Sequence, residues 1–171
     1  TNCGLGTKLP RPTHSSIAYA PHYYKPLALV MHGWRSGCFT MDLAFRSMTA
    51  QSRRWDRPLF VGEFGISAES RNAGPYVAAI HDRLDAELAS GAQWNLTPGW
   101  HPLRKDGWNG EDFSITDAQG NTRANYKPRP YPRFTAGQPL RFEYREDECP
   151  RLGFLWSNSP GRGETEIALP D

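Results

Sequence analysis

A carboxylate between two glycines is the first feature of the sequence that could do chemistry. Glu63 lies in the run Gly-Glu-Phe-Gly at residues 62–65 and follows a short apolar segment. Burying a carboxylate without a partner is costly, and parallel α/β folds carry functional groups at the carboxyl ends of their strands. Glu63 is therefore a candidate catalytic group, and a structural ion pair or loop cap is the alternative.

His22 and Tyr24 stand at the end of an earlier apolar segment, residues 17–24. Because they are two positions apart, both side chains would face the same side of a strand. A phenol hydroxyl beside a carboxylate donates a hydrogen bond that keeps the carboxylate ionised and oriented. The pair is a weak signal alone, but a neighbouring strand that ends in Glu63 makes it a candidate part of one catalytic site.

Aromatic and amide side chains stand at the end of a third predicted strand, residues 91–96, and in the loop beyond it. The flat indole of Trp94 could form the floor of a sugar subsite, and Asn95, Trp100 and Trp108 could extend that substrate-binding surface. The alternative for each Trp is a place in the hydrophobic core, where large aromatic side chains usually lie.

These three segments are predicted strands, and two helices are predicted between them, at residues 41–55 and 75–90. The second helix shows an apolar face with spacings of three and four residues, made by Val77, Ile80, Leu84 and Leu88. Pro75 suits its first turn, and Gly91 is the expected stop. The order strand, helix, strand, helix, strand predicts a parallel sheet with crossover helices.

The composition of the sequence changes after residue 96. Residues 97–132 are rich in Pro, Gly, Asn and Asp and are expected to be irregular. Alternating segments at residues 140–144, 152–156 and 164–169 then predict antiparallel strands of a β-sandwich.

The ordered set of strand ends resembles the last part, about strands six to eight, of the (β/α)8 TIM barrel in glycoside hydrolase family 5. In that family strand six ends in His-x-Tyr, matched by His22 and Tyr24. Strand seven ends in Gly-Glu-Phe-Gly, where the Glu, matched by Glu63, is the nucleophile. Strand eight is followed by a Trp near the reactive sugar, matched by Trp94.

Residues 106–115 and 129–132, followed by Ala136 and Gly137, are similar to endoglycoceramidase-like members of that family. The resemblance implies an α/β fold in which residues 1–130 are the C-terminal part of the catalytic barrel. Residues 131–171 would begin an antiparallel β-sandwich. It further implies retaining hydrolysis of a β-glycosidic bond in a carbohydrate or a glycolipid such as a glycosylceramide, without a metal or cofactor.

The family also places an acid/base carboxylate in an Asn-Glu-Pro motif on strand four, and this chain contains no Asn-Glu dipeptide. We therefore expect a C-terminal portion that lacks the N-terminal half of its own barrel and is inactive alone. A non-catalytic carbohydrate-binding or interaction module derived from such an enzyme is the alternative. A small α/β hydrolase is disfavoured because no Gly-x-Ser-x-Gly elbow occurs.

Composition bears on the remaining questions of partner, membrane insertion and cysteine chemistry. The 20 Lys and Arg nearly balance the 18 Asp and Glu, so we expect no nucleic-acid partner. No apolar run reaches the roughly 18 residues of a transmembrane segment. The three cysteines, Cys3, Cys38 and Cys149, form no CxxC pair. Their disulfide status stays open, and both a secreted and a cytoplasmic location fit.

Overall fold

The computed structural model describes residues 6–35, 39–107 and 109–170. Cys3, Cys38 and Trp108 lie outside these ranges, and Cys149 is an exposed free thiol. The elements, in chain order, are β1 (His22–Tyr23), α1 (Pro26–Val30), α2 (Phe39–Trp55), β2 (Phe60–Phe64), α3 (Ala73–Ala86), β3 (Ser90–Gln93), β4 (Tyr131–Phe134), β5 (Gly137–Arg145), β6 (Arg151–Asn158) and β7 (Glu166–Ala168).

The first three strands form a parallel sheet in the order β1-β2-β3, as the alternation of elements predicts. β1 is shorter than the expected residues 17–24. The backbone nevertheless follows β2 from Tyr19, whose N–H donates to the carbonyl of Pro58 at 2.9 Å. Pro21 has no N–H to continue this ladder, so the regular strand is confined to the two residues beyond it.

Two helices and the sheet enclose one hydrophobic core. The core residues on α2 include Met41, Phe45 and Met48, and those on α3 include Tyr76, Val77 and Ile80. Val61 and Phe64 of β2 are fully buried between them. Short strands with buried side chains therefore carry the residues that follow them on a rigid support.

Helix α3 begins and ends earlier than the predicted residues 75–90. Pro75 is its third residue, where the missing N–H leaves no intrahelical bond unmade. Leu88 adopts a left-handed φ of 50° just after the helix and is 41% exposed, so it is not part of the apolar face. Gly91 lies in β3, where an added Cβ would come within 2.8 Å of Leu84.

Two elements were not expected from the sequence. Residues 26–30 form helix α1, with Pro26 at its first position, where proline is favoured. Tyr131–Phe134 forms β4, which begins at the end of the stretch predicted to be irregular, because its backbone pairs with the distant β7.

The C-terminal strands are antiparallel, as the alternating pattern predicts, but they form two separate pairs. β5 and β6 make a hairpin, and β4 pairs with β7. Phe154 links the hairpin side chains, with ring centroids 5.8 Å from Phe142 and 5.0 Å from Trp156. The three expected strands are present as β5, β6 and β7, and together with β4 they form two two-stranded sheets.

Arg129 connects these strands to the α/β part. Its side chain, 10% exposed, forms ion pairs with Asp82, at 3.3 Å, and with Asp85 of α3. Its guanidinium also lies 5.3 Å from the ring centroid of Tyr144 on β5. Burial raises the pKa of Asp85 to about 6, even though Arg129 acts in the opposite direction. One cation thus neutralises a poorly hydrated carboxylate and joins α3 to the hairpin.

Within the described ranges, no helix combines the length and the apolar character that crossing a membrane requires.

Replacing Arg129 by Met should destabilise the chain more at about pH 7.5 than at about pH 4.5. The folded pKa of Asp85, about 6, lies above its ordinary value of 3.8. Ionising this group therefore lowers stability as the pH rises between those values. In Arg129→Met, Asp85 has lost its counter-ion and its pKa rises further, so the stability of the variant continues to fall above pH 6. We expect the variant to lose about 2 kcal/mol of unfolding free energy at the higher pH and clearly less at the lower pH.

Urea unfolding at both pH values measures this difference. The matched control is Arg133→Met, which removes an exposed pair with Glu166, in which the side chains are 59% and 49% exposed. That variant should change the free energy of unfolding by less than about 0.5 kcal/mol. An equal loss in Arg129→Met at both pH values would contradict the role given to Asp85.

Candidate active site

Two side chains from the neighbouring strand end contact Glu63. The parallel register aligns His22 with Glu63. One carboxylate oxygen, Oε2, accepts a hydrogen bond from the Tyr24 hydroxyl at 3.0 Å and lies 3.2 Å from Nδ1 of His22. No described residue donates to the other oxygen, Oε1. The carboxylate is thus oriented through one oxygen and free to react through the other.

The site lies at the surface rather than in the core. The side chain of Glu63 is 30% exposed and that of His22 is 38% exposed. A ligand can therefore reach both groups, whereas Val61 and Phe64 on the same strand are fully buried. The buried neighbours of Glu63 on β2 thus fix the position of its backbone.

Tyr24 is kept in its protonated form. Burial raises the pKa of its hydroxyl well above the usual range, and the hydrogen bond to Glu63 raises it further. The negative charges of Glu63 and Glu111 act in the same direction. The phenol consequently keeps its proton and donates it in a hydrogen bond to Glu63 throughout the physiological pH range.

Two glycines allow the three strand ends to approach one another. A Cβ at Gly62 would lie 3.2 Å from the His22 ring, and one at Gly65 would collide with the carbonyl oxygen of Trp94. Close packing of the strand ends thus explains the glycines near Glu63, since a side chain at residue 65 would push the third strand end away.

Trp94 lies on the same rim, immediately after β3. Its backbone N–H donates to the carbonyl of Phe64 at 2.8 Å, and its indole Nε1 donates to Oε2 of Glu111 at 2.9 Å. The side chain is partly exposed. The structure therefore brings Trp94 to the edge that carries His22, Tyr24 and Glu63.

The long connection after β3 adds two residues that the sequence did not single out. Glu111 binds the Trp94 indole, and the ring of Phe113 packs edge-to-face against Tyr24 with centroids 6.2 Å apart. Residues 106–115 resemble the corresponding segment of one enzyme group, but the residue types alone do not distinguish Glu111 from its neighbour Asp112. The hydrogen bond to Trp94 distinguishes Glu111.

Asn95 and Trp100 are placed differently from the expected substrate surface. Asn95 is 9% exposed, and its side-chain amide donates to Asp106 at 3.3 Å. The indole of Trp100 donates to Asp112 at 2.8 Å, and the guanidinium of Arg123 lies 4.3 Å from its ring centroid. Their polar atoms are bound within the loop rather than directed at Glu63. Trp108, the third aromatic of that expected surface, lies outside the described residues.

Asp112 is the centre of the network that fixes this loop. It pairs with Arg123 at 2.8 Å and with Lys105 at 3.6 Å. Its pKa is held below the usual range, since these cations and the Trp100 indole outweigh the effect of burial. The segment that carries Glu111 is therefore fastened by charge-assisted bonds. In the described ranges, no group of three or more His, Cys, Asp or Glu side chains is arranged to hold a metal ion.

Comparison with known families supports the resemblance read from the sequence. Residues 129–171 match the glycoside hydrolase family 5 C-terminal domain. No curated protein matches the chain. The family match begins at Arg129, the residue that joins the C-terminal strands to α3.

Solved structures extend the likeness to the α/β part. Endo-glycoceramidase II from Rhodococcus sp. in complex with ganglioside GM3 is 20% identical, with a TM-score of 0.67 over 97% of this chain and 36% of that one. Its lactosyl-enzyme intermediate is 22% identical, with a TM-score of 0.66 over 97% of this chain and 35% of that one. Sterylglucosidase 1 from Cryptococcus neoformans is 22% identical, with a TM-score of 0.58 over 75% and 25%.

The chain thus shares its fold with parts of TIM-barrel glycosidases, and it spans about a third of the length of the endo-glycoceramidase, 36%. The predicted resemblance to endoglycoceramidase-like enzymes of glycoside hydrolase family 5 is confirmed.

Tyr24 should remain un-ionised in the range around pH 10 where tyrosine in water loses its proton. Absorbance at the phenolate band, followed from neutral pH to about pH 11, should show the same number of titrating groups in the wild type and in Tyr24→Phe. The physical reason is the burial of the hydroxyl and its bond to Glu63. A phenolate step near pH 10 that the variant lacks would show that Tyr24 is neither buried nor bonded as described.

Proposed function

We propose that this chain supplies the nucleophile and part of the sugar site of a retaining glycoside hydrolase. The observation that supports the proposal most directly is the pairing of Glu63 through Oε2 with Tyr24 and His22, at 3.0 and 3.2 Å. A nucleophilic carboxylate needs a fixed orientation and one unengaged oxygen, and Oε1 meets the second requirement.

In the proposed reaction, Oε1 of Glu63 attacks the anomeric carbon and the bond from that carbon to the leaving oxygen breaks. A second carboxyl, about 5–5.5 Å from the first, protonates the leaving oxygen and later activates the water that releases the sugar. The lactosyl-enzyme intermediate named for endo-glycoceramidase II is a covalent species of this kind. Tyr24 orients the nucleophile, His22 binds the sugar or supports Tyr24, and Trp94 packs beneath the ring.

We assign β1, β2 and β3 to strands six, seven and eight of a (β/α)8 barrel, within residues 1–130, and residues 131–171 to the start of a β-sandwich domain. The acid/base carboxyl would then come from a barrel strand that this chain does not contain, because no Asn-Glu dipeptide occurs in it. On this assignment the chain alone binds sugar weakly and does not turn substrate over.

We further propose a β-linked sugar on a lipid as the substrate. The related structures are named for a glycoceramide and a steryl glucoside. Helix α1 begins two residues after Tyr24, and three apolar side chains of the helix and its C-cap residue are exposed: Leu27 by 65%, Val30 by 75% and Met31 by 67%. Their spacing of three and four residues places them on one apolar stripe, close in the chain to Tyr24, and such a stripe suits a lipid aglycone.

A non-catalytic carbohydrate-binding module is the second candidate. It is favoured by one observation, that the chain has no Asn-Glu dipeptide to supply an acid/base carboxyl. The module would bind sugar through Trp94 but would give no loss of turnover when Glu63 is replaced in the complete gene product.

Glu63→Gln in the complete gene product should lower kcat for an aryl β-glucoside by about 10⁴-fold or more, because the amide is a far poorer nucleophile. Folding, followed by circular dichroism and urea unfolding, should be unchanged. Glu143→Gln is the matched control, since Glu143 lies on β5 in an exposed pair with Arg141. Full activity in Glu63→Gln would remove Glu63 from the nucleophile role.

The double variant Leu27→Ser, Val30→Ser should raise KM for a glycolipid in vesicles about tenfold, because it removes apolar area from the stripe on α1. Hydrolysis of a soluble aryl β-glucoside should stay within about twofold, since the sugar site is unaltered. Leu155→Ser, at a side chain that is 57% exposed on the hairpin, is the control. Equal effects on both substrates would contradict the assignment of α1 to the lipid.

A further inference from the structure

We infer that Glu111 determines which sugars this site accepts: its carboxylate favours a neutral, hydroxyl-bearing sugar and excludes an anionic one. The inference rests on the proposed function and adds to it the class of sugar. It starts from the contact between Glu111 and Trp94, which no sequence pattern indicates.

One oxygen of Glu111 is committed and the other is available. Oε2 accepts the hydrogen bond from the Trp94 indole at 2.9 Å, whereas no described residue donates to Oε1. The side chain is partly exposed, as is that of Trp94. A sugar resting on the indole would therefore meet a carboxylate oxygen at the indole's edge, and sugar hydroxyls are suitable donors to such an oxygen.

The position of Glu111 is fixed from both sides. Its own carbonyl accepts the N–H of Asp106 at 3.0 Å. The next residue, Asp112, is bound by Arg123 and Trp100, each at 2.8 Å. Because these bonds hold the backbone around it, Glu111 is presented at a set place on the rim, as a residue that discriminates between ligands must be.

Among the described residues, no cation forms an ion pair with Glu111. The loop cations Lys105 and Arg123 form their ion pairs with Glu69 and Asp112. Glu111 instead adds to the negative potential around the Tyr24 hydroxyl, to which Glu63 also contributes. Two carboxylates that act on one phenol make this rim repulsive to a sugar that carries its own carboxylate.

The test compares kcat/KM for 4-nitrophenyl β-glucoside and 4-nitrophenyl β-glucuronide in the complete gene product. The wild type should prefer the glucoside. Glu111→Gln keeps an oxygen that can accept the indole hydrogen bond but removes the charge. It should lower the glucoside-to-glucuronide ratio by about tenfold or more, while kcat for the glucoside falls by less than that.

Glu111→Asp separates charge from position. Its shorter side chain keeps the negative charge but cannot reach the Trp94 indole in the same way, so the preference for the neutral sugar should persist while kcat for the glucoside falls. A merely structural role would lower activity on both sugars equally in both variants. The control Glu143→Gln should leave the ratio unchanged.

An unchanged ratio in Glu111→Gln overturns the inference and leaves the proposed function intact. If the wild type hydrolyses neither compound, the proposed function fails, and calorimetric binding of methyl β-glucoside and methyl β-glucuronide decides the inference instead. A preference for the glucoside that is lost in Glu111→Gln supports it, and equal binding or no binding of the two sugars overturns it.

Discussion

The hydrogen bond from Tyr24 to Glu63 is the interaction on which the rest of the site depends. It joins residues 39 positions apart and exists because β1 and β2 pair in parallel with His22 opposite Glu63. A shift of the register by one residue would turn these side chains to opposite faces of the sheet. The core residues of β2, Val61 and Phe64, resist such a shift because both are fully buried.

Charge organises the rim around this pair. Asp112 pairs with Arg123 and Lys105 and so fastens the loop after β3, whereas Glu111 and Glu63 both act electrostatically on Tyr24. Charge pairing also joins the two parts of the chain, because Arg129 pairs with Asp82 and Asp85 of α3 and lies against Tyr144 of β5. Ion pairs thus fasten the loop and the C-terminal strands, and Glu63 and Glu111 keep one carboxylate oxygen each to which no described residue donates.

Local patterns predicted the elements well where one physical cause dominated. Helix α3 follows from its apolar spacing, and the parallel sheet follows from the alternation of elements. The errors came from backbone effects that a pattern does not contain. Pro21 interrupts the ladder of β1, and Leu88 ends the region of α3 in a left-handed conformation before Gly91 is reached. β4 was missed because it is a strand only through its pairing with β7, about 35 residues later in the chain.

The sequence by itself determined which residue types stand at three successive strand ends, and hence that His22, Tyr24, Glu63 and Trp94 share one rim. Periodicity and chain order suffice for that, because parallel strands must end at the same edge. Only the tertiary structure decided that Glu111 binds Trp94, and that Asn95 and Trp100 turn their polar groups into the loop. The path of an irregular segment depends on contacts among residues distant in sequence, such as Asn125 with the carbonyl of Ile66, and no local preference encodes them.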